Sequence, residues 1–553
     1  MLSLIDRIEA VAERPHGNVT FISGDDHTTI GWDDLHREAR GAAAALQALG
    51  VRPGDHVGLI GPTTRRLVTT IQATWLCGAA LVTMPLPMRM GALEQFIEQT
   101  RRRIHRSDTR LVVIDPDLAA FIQPAPGDPP FVTLDELFTD AAAGDAGYTR
   151  PDSDPDALAV LQFTSGSTSE PKGVMLSHRA ICNNLDGAWK AADITHDEVI
   201  VSWLPLYHDM GLVGLLTIPM SLGCTLVQGA PQDFLARPIR WMEWMSRYRG
   251  TGTAGPNFSY ALATRALRRT DQDLDLSSTR VLLNGAEPVD PDTFRAFLDE
   301  AARFGVDPAA AFPAFGMAEV CIAGTFPRAG SGLKTDLVDK VALESERRAV
   351  PVEEGARDAT ELVVLGRPVD GLELSIVDPD TGEPCGDREV GELRITGNSL
   401  TTGYYKDPEA TAELIRDGWL HTGDLAYTVD GELVVCGRIK DVIIVGGRNV
   451  YPQDIEKVAG GVEGVRTGNV IAFGVDGRHG AQNIVVVAEA RADDLELVQK
   501  AVTREVADAV GIPPKEVVLV EPGTVPKTSS GKLQRSACKA LHAEGELSRL
   551  VNA

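Results

Sequence analysis

The sequence lacks the features that mark disulfide-rich, metal-ligating or nucleic-acid-binding chains. Its seven cysteines are scattered and include no Cys-x-x-Cys pair, which argues against a zinc site and a disulfide framework and fits a reducing cytoplasm. The first residues carry Asp6 and Glu9 and no long apolar run, so we expect no signal peptide. A formal net charge of −25 argues against general nucleic-acid binding, because phosphate backbones would be repelled. We interpret the basic run at residues 101–106 as a solvated helix face.

Charged residues are also missing from residues 210–232, a segment long enough to cross a membrane. This segment contains Pro219, Pro231 and several glycines, which break helices. We therefore expect an apolar helix followed by a buried strand, and no transmembrane segment.

The length of 553 residues predicts at least two domains. A hydrophobic content of 43% and a charged content of 24% are typical of a soluble globular protein. Helical and strand-like segments alternate between residues 29 and 150, which predicts a parallel, doubly wound sheet of an α/β protein. The predicted helices are Trp32 to Leu49 and Arg65 to Cys77, and the predicted strands are His56 to Ile60, Ala80 to Met84 and Leu111 to Ile114.

A candidate polyphosphate site follows an apolar strand predicted at Leu158 to Phe163. Small residues let backbone N–H groups approach phosphate oxygens, hydroxyl groups donate further hydrogen bonds, and a lysine adds positive charge. Ser177 is then well placed as the N-cap of a helix that extends to about Ala192. The candidate phosphate-binding residues are Thr164, Ser165, Gly166, Ser167, Thr168 and Lys172.

This loop has two other interpretations. An ordinary surface loop rich in Ser, Thr and Gly would look similar. A Walker A loop needs Gly-Lys followed by Ser or Thr, but Gly173 follows Lys172 here, and Gly531-Lys532 is followed by Leu533. The chain is therefore not a P-loop NTPase.

The segment TSGSTSEPKG at 164–173 resembles the phosphate-loop signature of the adenylate-forming enzymes, which include acyl-CoA synthetases, luciferases, adenylation domains and fatty acyl-AMP ligases. Further motifs resemble those of this family, in the same order, over nearly the whole chain. The forms LPLYHDMG, NGAEP and GRNVYPQDIE are most similar to those of fatty acyl-AMP ligases. The later motifs are SWLPLYHDMG at 202–211, RVLLNGAEP at 280–288, AFGMAE at 314–319, WLHTGDL at 419–425, GRIKD at 437–441, GRNVYPQDIE at 447–456 and PKTSSGKLQR at 526–535.

The resemblance implies catalytic roles for three residues. His208 would position the acyl carboxylate. Glu319 would hold Mg²⁺ through its hard carboxylate oxygens, together with Thr164. Lys532 would bridge the entering carboxylate and the α-phosphate during adenylation.

The resemblance also implies ATP-binding residues and a hinge. Asp424 would accept hydrogen bonds from the ribose hydroxyls, Arg438 would bridge ribose and phosphate oxygens, and Lys440 occupies the hinge position. Phe315 stands where the family usually has tyrosine. This replacement keeps a ring that can stack on adenine but removes the hydroxyl. The residues expected around the adenine are Gly285, Ala286, Glu287, Phe315, Gly316, Met317 and Ala318.

The segment between Glu319 and Gly366 is longer than in CoA-forming relatives. It resembles the insertion of fatty acyl-AMP ligases, here at about residues 325–363, which is thought to restrict the CoA-accepting conformation. The implied architecture is a large N-terminal domain, residues 1–438, with doubly wound parallel sheets and a small β-barrel-like part. A small, mobile α/β lid domain would follow at residues 439–553.

The expected reaction is ATP-dependent activation of a fatty acid to acyl-adenylate, with transfer of the acyl group to the phosphopantetheine thiol of an acyl carrier protein. A fatty acyl-CoA synthetase remains an alternative because it shares the catalytic motifs. An amino-acid-adenylating enzyme would need a charged anchor that we do not see near His208, where Asp209 belongs to the ligase motif. A catalytically dead regulator would be expected to have lost Lys532, Glu319 or Asp424.

One residue departs from the phosphate-loop pattern. Ser169 stands where the family usually has glycine. If that position requires a positive φ, serine would strain the loop by about 1 kcal/mol. Either the backbone there is ordinary or nucleotide affinity is reduced.

Overall fold

The structure is a computed structural model. None of the helices that it describes has both the length and the apolar character needed to cross a bilayer. The described residues are 3–86, 93–141, 144–164, 171–445, 448–477, 482–528 and 531–550.

Two large sheets form the first part of the chain. A six-stranded sheet has the order β6-β5-β3-β4-β7-β8 and a seven-stranded sheet has the order β13-β12-β11-β9-β10-β1-β2. Neighbouring strands are parallel except in the hairpins β1–β2 and β7–β8. The strands are β1 Asn18–Ser23, β2 Asp26–Gly31, β3 His56–Ile60, β4 Ala80–Thr83, β5 Thr109–Ile114, β6 Phe131–Thr133, β7 Leu158–Thr164, β8 Lys172–Ser177, β9 Val199–Ser202, β10 Thr225–Gln228, β11 Gly252–Gly255, β12 Val281–Asn284 and β13 Ala311–Pro313.

Helices connect these parallel strands, as crossover connections require. The side chains of Trp32 and Trp75 are fully buried in the core beside the six-stranded sheet, and Trp241 is fully buried in the core beside the seven-stranded sheet. The helices are α1 Leu4–Glu13, α2 Trp32–Ala48, α3 Arg65–Leu76, α4 Leu93–Arg106, α5 Pro116–Ala119, α6 Leu134–Ala141, α7 His178–Ala191, α8 Ile218–Leu222, α9 Pro231–Ala236, α10 Ile239–Arg247, α11 Asn257–Leu267 and α12 Pro291–Ala301.

The phosphate-loop region contains one strand that the sequence analysis did not assign. The predicted cap is confirmed, because the Ser177 hydroxyl accepts a hydrogen bond from the Ala180 N–H at the start of α7. The segment before the cap, however, is the strand β8, which pairs antiparallel with β7 and places Thr164 opposite Lys172. The sequence analysis assigned no element to residues 174–176, since β8 is too short and mixed in character to stand out by periodicity.

The charge-free segment forms an apolar helix followed by a buried strand, as predicted. The helix begins as a π-helix over Met210–Thr217 and continues as α8 before β10. A Cβ atom on Gly211 would lie 2.2 Å from the Pro205 carbonyl oxygen, so only glycine fits this close approach.

Antiparallel structure dominates residues 315–438. The strands β19, β20, β22, β21 and β23 form one antiparallel sheet where a β-barrel-like part was predicted. Residues 325–363, the predicted insertion, contain the hairpin β16–β17 with α13 between its strands. The elements are β14 Phe315–Gly316, β15 Ala323–Phe326, β16 Thr335–Asp339, α13 Lys340–Glu346, β17 Ala359–Val363, β18 Arg367–Pro368, β19 Leu372–Val377, β20 Gly391–Gly397, α14 Pro408–Leu414, β21 Ile415–Arg416, β22 Trp419–Val429 and β23 Glu432–Arg438.

The last part of the chain has its own hydrophobic core. The strands β26, β27 and β28 form a three-stranded sheet, and the valines of α16 pack against it. A separate core is what a separate domain requires. The elements are β24 Ile443–Val445, β25 Arg448–Val450, α15 Pro452–Gly460, β26 Val465–Asp476, β27 Gln482–Ala490, α16 Leu495–Val510, β28 Glu516–Val520 and α17 Arg535–Glu544.

All seven cysteines lie in the described residues and are free thiols. Six are buried, and Cys385 alone is half-buried. Burial raises the pKa of the Cys77 and Cys224 thiols to about 12 and that of the Cys182 thiol to about 11. The absence of a disulfide framework among these cysteines agrees with the prediction.

Candidate active site

Lys532, the predicted adenylation lysine, lies in a tight loop between β28 and α17. The Thr528 N–H donates to the Lys532 carbonyl at 2.8 Å, and the Lys532 N–H donates to the Thr528 hydroxyl at 3.0 Å. A Cβ atom on Gly531 would lie 3.7 Å from Cε1 of Phe258 in α11. The loop therefore lies against the large N-terminal part of the chain.

Carboxylates of the large part act on the Lys532 ammonium through their charges. Burial lowers the pKa of Lys532, while the charges of Asp209, Glu287 and Glu319 raise it. The structure thus brings Lys532 into the same site as residues from distant motifs. A half-buried ammonium under the influence of these carboxylates is suited to binding a substrate that adds negative charge.

Glu319 lies in a short 3₁₀-helix, Ala318–Val320, and its residue is 8% exposed. Its Oε1 accepts a hydrogen bond from the Tyr404 hydroxyl at 2.8 Å. Burial raises the pKa of Glu319, and the bond from Tyr404 opposes that rise. The Tyr404 ring also lies 4.8 Å from the Nζ atom of Lys172. We missed Tyr404 in the sequence, although it precedes another tyrosine after Gly403, because none of the motifs that we used contains it.

The His208 ring lies against the carboxylate of the next residue. Its Nδ1 lies 2.5 Å from Oδ1 of Asp209, and the same oxygen accepts a hydrogen bond from the Met210 N–H at 2.8 Å. Burial alone would raise the pKa of Asp209, but the charges of His208 and Lys532 lower it to about 2. Asp209 is therefore a carboxylate at neutral pH and orients the His208 ring.

The turn after β12 has a restrained backbone. A Cβ atom on Gly285 would lie 2.8 Å from the Ala314 carbonyl oxygen, and Ala286 has a φ of 71°. Such a φ costs a non-glycine residue conformational energy, so neighbouring contacts must hold the turn. Glu287 contributes one of these contacts, since its Oε1 accepts a hydrogen bond from the Asn257 N–H at 2.9 Å.

Asn257 is a second residue that the sequence did not reveal. Its Oδ1 accepts hydrogen bonds from Nδ2 of Asn284 at 3.1 Å and from the Asp290 N–H at 3.0 Å. Its Nδ2 donates to the Pro288 carbonyl at 2.8 Å. Asn257 therefore fixes both ends of the predicted adenine turn. Its only signal in the sequence is its place at the start of a helix after Gly255 and Pro256.

The predicted adenine segment runs through β14 into the 3₁₀-helix of Glu319. Phe315 and Met317 are half-buried, and Ala318 is buried. A Cβ atom on Gly316 would lie 1.9 Å from the Ile322 carbonyl oxygen, so glycine is required there. The partial exposure of Phe315 is compatible with a ring that stacks on a ligand.

Asp424 and Arg438 face each other on β22 and β23. The Nε atom of Arg438 donates to Oδ1 of Asp424 at 3.0 Å. Burial raises the pKa of Asp424, which is 5% exposed, and the Asp424 charge raises the pKa of Arg438. Lys440, the predicted hinge, is exposed two residues beyond.

The remaining predicted site residues belong to the phosphate loop. The Thr164 hydroxyl donates to the Lys172 carbonyl at 3.5 Å, which closes the base of the β7–β8 hairpin. Thr164 and Lys172 thus frame the loop from both sides. Ser165, Gly166, Ser167, Thr168 and Ser169 lie outside the described residues.

Known protein families match most of the chain. Residues 8–405 match the family model of the AMP-binding enzymes, and residues 447–537 match the model of the AMP-binding enzyme C-terminal domain. The two matches leave residues 406–446 between them, which include the predicted hinge.

Individual relatives and a solved structure are also similar to most of this chain. A medium-chain-fatty-acid–[acyl-carrier-protein] ligase, JamA of Moorena producens, is 38% identical over 72% of this chain and 70% of its own. FadD25 of Mycobacterium tuberculosis, a candidate fatty-acid–CoA ligase, is 33% identical over 94% of this chain and 93% of its own. A solved structure from a study of fatty acyl-adenylate ligases from E. coli and L. pneumophila is 29% identical, covers 99% of this chain and 98% of its own, and has a TM-score of 0.91. The chain belongs to the family of AMP-binding enzymes.

Proposed function

We propose that the protein activates a fatty acid with ATP and transfers the resulting acyl group to the phosphopantetheine thiol of a carrier protein. The observation that carries the proposal is the position of the Lys532 loop against α11 of the large part, where the charges of Asp209, Glu287 and Glu319 act on the lysine. An adenylation reaction needs charge neutralisation and oriented donors around the α-phosphate more than it needs a base, because the attacking carboxylate is already ionised.

A small cavity with many apolar side chains lies at Tyr207, the sequence neighbour of His208. The cavity lies at the ends of β3 and β4. With a volume of about 10 Å³ the cavity has room for about one water molecule, so the choice of a fatty acid rests on the ligase motifs and not on this cavity. The lining residues with apolar side chains include Leu59, Leu67, Met84, Leu86 and Leu206.

The described residues are compatible with Mg²⁺. They contain no cluster of three His, Cys, Asp or Glu side chains that could hold a metal ion alone. Mg²⁺ in nucleotide sites is usually held by one or two protein oxygens, with phosphates and waters completing its shell. We propose that Glu319 and Thr164 supply the protein oxygens. When bound, the ion neutralises phosphate charge.

Different residues of the chain bind the ribose, the adenine and the reacting phosphate in the first half-reaction. Asp424 accepts hydrogen bonds from the ribose, while the 285–287 turn and Phe315 hold the adenine. A carboxylate oxygen of the fatty acid attacks the α-phosphorus, the bond to the bridging oxygen breaks, and pyrophosphate leaves. The Lys532 ammonium stabilises the charge that develops at the α-phosphate.

The second half-reaction uses the other position of the lid. We propose that residues 439–553 rotate about Lys440 as a domain. A phosphopantetheine thiol then attacks the acyl carbonyl carbon, the bond from that carbon to the phosphate oxygen breaks, and AMP leaves while the thiol proton passes to solvent. The lid must turn because Lys532 covers the acyl-phosphate in the first position.

Contacts of the insertion join the large domain to the lid, and we propose that they restrict the lid position that accepts free CoA. Asp336 of β16 accepts hydrogen bonds from the Arg388 guanidinium at 3.0 and 3.1 Å, which fixes the insertion to the large domain. Fully buried Glu344 of α13 accepts a hydrogen bond from Nε of Arg448 at 3.1 Å, which fixes it to the lid. Such a strut limits how far the lid can turn.

Acceptor choice tests the proposal directly. Purified protein is given ATP, Mg²⁺ and fatty acids of several lengths, with either CoA or a phosphopantetheinylated carrier protein. We expect acyl-AMP to accumulate with CoA and to be consumed with the carrier. Efficient formation of acyl-CoA would make the protein an acyl-CoA synthetase, in keeping with the name of FadD25. Failure to form acyl-AMP from any fatty acid would refute the proposed substrate class.

A further inference from the structure

Arg535 follows the Lys532 loop as the first residue of α17. Its Nε donates to Oε1 of Glu456 at 2.8 Å, and one of its terminal nitrogens donates to Oε2 of the same carboxylate at 2.7 Å. Its other terminal nitrogen donates to Oδ2 of Asp441 at 3.0 Å. One guanidinium is thus held by two carboxylates, in a geometry that fixes its plane.

The two carboxylates belong to different parts of the lid. Asp441 directly follows the predicted hinge residue Lys440, and its N–H donates to the Arg438 carbonyl at 3.0 Å. Glu456 lies in α15 and also accepts a hydrogen bond from the Ala472 N–H of β26 at 3.1 Å. Arg535 therefore joins the hinge segment and the body of the lid to the end of the Lys532 loop.

The loop is compact, and its end is fixed by Arg535. The Gln534 N–H donates to the Pro526 carbonyl at 3.0 Å, which brings the two ends of the loop together. Arg535 continues from this closed end. The side chains of Arg535, Asp441 and Glu456 are only 22%, 13% and 9% exposed, so water screens their ion pairs weakly. A change at Arg535 should thus be transmitted to Lys532.

We propose that Arg535 is a positioning residue that fixes the Lys532 loop to the hinge through Asp441 and Glu456. Rotation about the hinge then delivers the Lys532 ammonium to one place over the α-phosphate. Without this anchor the loop would sample several positions, and a misplacement of about 1 Å can lower a rate by about 100-fold. The kinetic part of this inference rests on the proposed adenylation function, and the structural part does not.

The test separates the two half-reactions in the full-length chain. We expect Arg535→Met to slow acyl-AMP formation by about 10- to 100-fold. Transfer from supplied acyl-AMP to a carrier protein should change little, because Lys532 is not needed there. Arg549→Met is the matched control, since Arg549 also forms a lid ion pair, with Glu516, away from the loop. Equal losses in both half-reactions would overturn the proposal.

A double-mutant cycle shows whether Arg535 acts through Lys532. In a Lys532→Ala background, Arg535→Met should cause little further loss of adenylation, because the group that it positions is gone. Full additivity of the two losses would overturn the proposal. Arg535→Lys should lie between wild type and Arg535→Met, because lysine keeps the charge and loses the paired contacts with Glu456.

Hydrogen exchange tests the anchor without any substrate. We expect faster amide exchange in residues 526–534 of Arg535→Met than in wild type or Arg549→Met, with thermal melting used to confirm that each variant is folded. Unchanged exchange in this loop would overturn the proposal. A wild-type protein that makes no acyl-AMP would refute the proposed function, and exchange would still decide the role of Arg535.

Discussion

The hydroxyl of Tyr404 donates a 2.8 Å hydrogen bond to Oε1 of Glu319. The same tyrosine ring contacts the ammonium of Lys172, at a distance of 4.8 Å. One side chain therefore connects the proposed Mg²⁺ ligand to the residue that ends the phosphate loop. A cation over an aromatic face is stabilised by the ring's negative face, so Tyr404 also holds Lys172 in place.

Tyr404→Phe should make adenylation more sensitive to acid. The bond from Tyr404 stabilises the ionised form of Glu319, so its removal raises the pKa of Glu319 further above the ordinary value. We expect the acid limb of the pH–rate profile for acyl-AMP formation to move to higher pH, and the rate below that limb to fall by about tenfold. Tyr405→Phe is the control, because its hydroxyl donates to Asp108. An acid limb in the same place for both variants would contradict the assignment of Glu319.

Lys532→Ala should separate the two half-reactions. Removing one donor to a developing oxyanion typically costs about 100- to 1000-fold in rate, and we expect a loss of this size in acyl-AMP formation. Transfer from pre-made acyl-AMP to a carrier protein should suffer much less. Pyrophosphate release measures acyl-AMP formation, and single-turnover transfer measures the second step. Lys539→Ala, at an exposed position of α17, is the control. Equal loss in both steps would show that the assigned role is wrong.

Asp424→Asn should weaken ATP binding. The substitution removes the charge that pairs with Arg438 and one of the oxygens proposed to accept from the ribose. Hydrogen bonds to charged groups contribute about 1.5–3 kcal/mol, so KM for ATP should rise by about tenfold or more. Steady-state kinetics with varied ATP measure KM. Asp387→Asn is the control, because it removes an exposed carboxylate. An unchanged KM for ATP would show that Asp424 does not bind the ribose.

Glu344→Gln should relax the selection against CoA. The neutral amide weakens the contact between the insertion and Arg448, so the lid gains freedom. We expect the ratio of acyl-CoA to acyl-carrier formation to rise by about 3- to 10-fold, in line with the loss of one charge-assisted hydrogen bond. Glu346→Gln, an exposed position in the same helix, is the matched control. If both variants keep the wild-type ratio, the strut does not control acceptor choice.

Local sequence signals predicted local structure well. His56 to Ile60 is a mostly apolar run, preceded by Asp55 and followed by Gly61 and Pro62, and it forms β3 over the same residues. Ser177 caps α7 because a serine hydroxyl satisfies an otherwise unpaired N–H at a helix start. The π-helix at Met210 could not be predicted, because its composition is equally apolar on all sides and carries no period.

Contacts between residues that are distant in the sequence could not be predicted from its patterns. The motifs named Glu319, but its partner Tyr404 lies in a segment with no motif of its own. The length of the insertion was visible, whereas the pairing of Glu344 with Arg448 depends on how two domains pack. A carboxylate on a helix predicts only a partner of opposite charge, and many arginines in the chain could have served.

The distribution of thiols makes the lid accessible to spectroscopy. Six native cysteines are buried, so a thiol-reactive fluorophore should ignore them in the folded protein and leave half-buried Cys385 as the one native position to replace. A pair of engineered surface cysteines, one on each side of residue 440, could then carry a donor and an acceptor dye. Energy transfer between the dyes would follow domain rotation in real time, during turnover, with nearly the whole natural sequence intact.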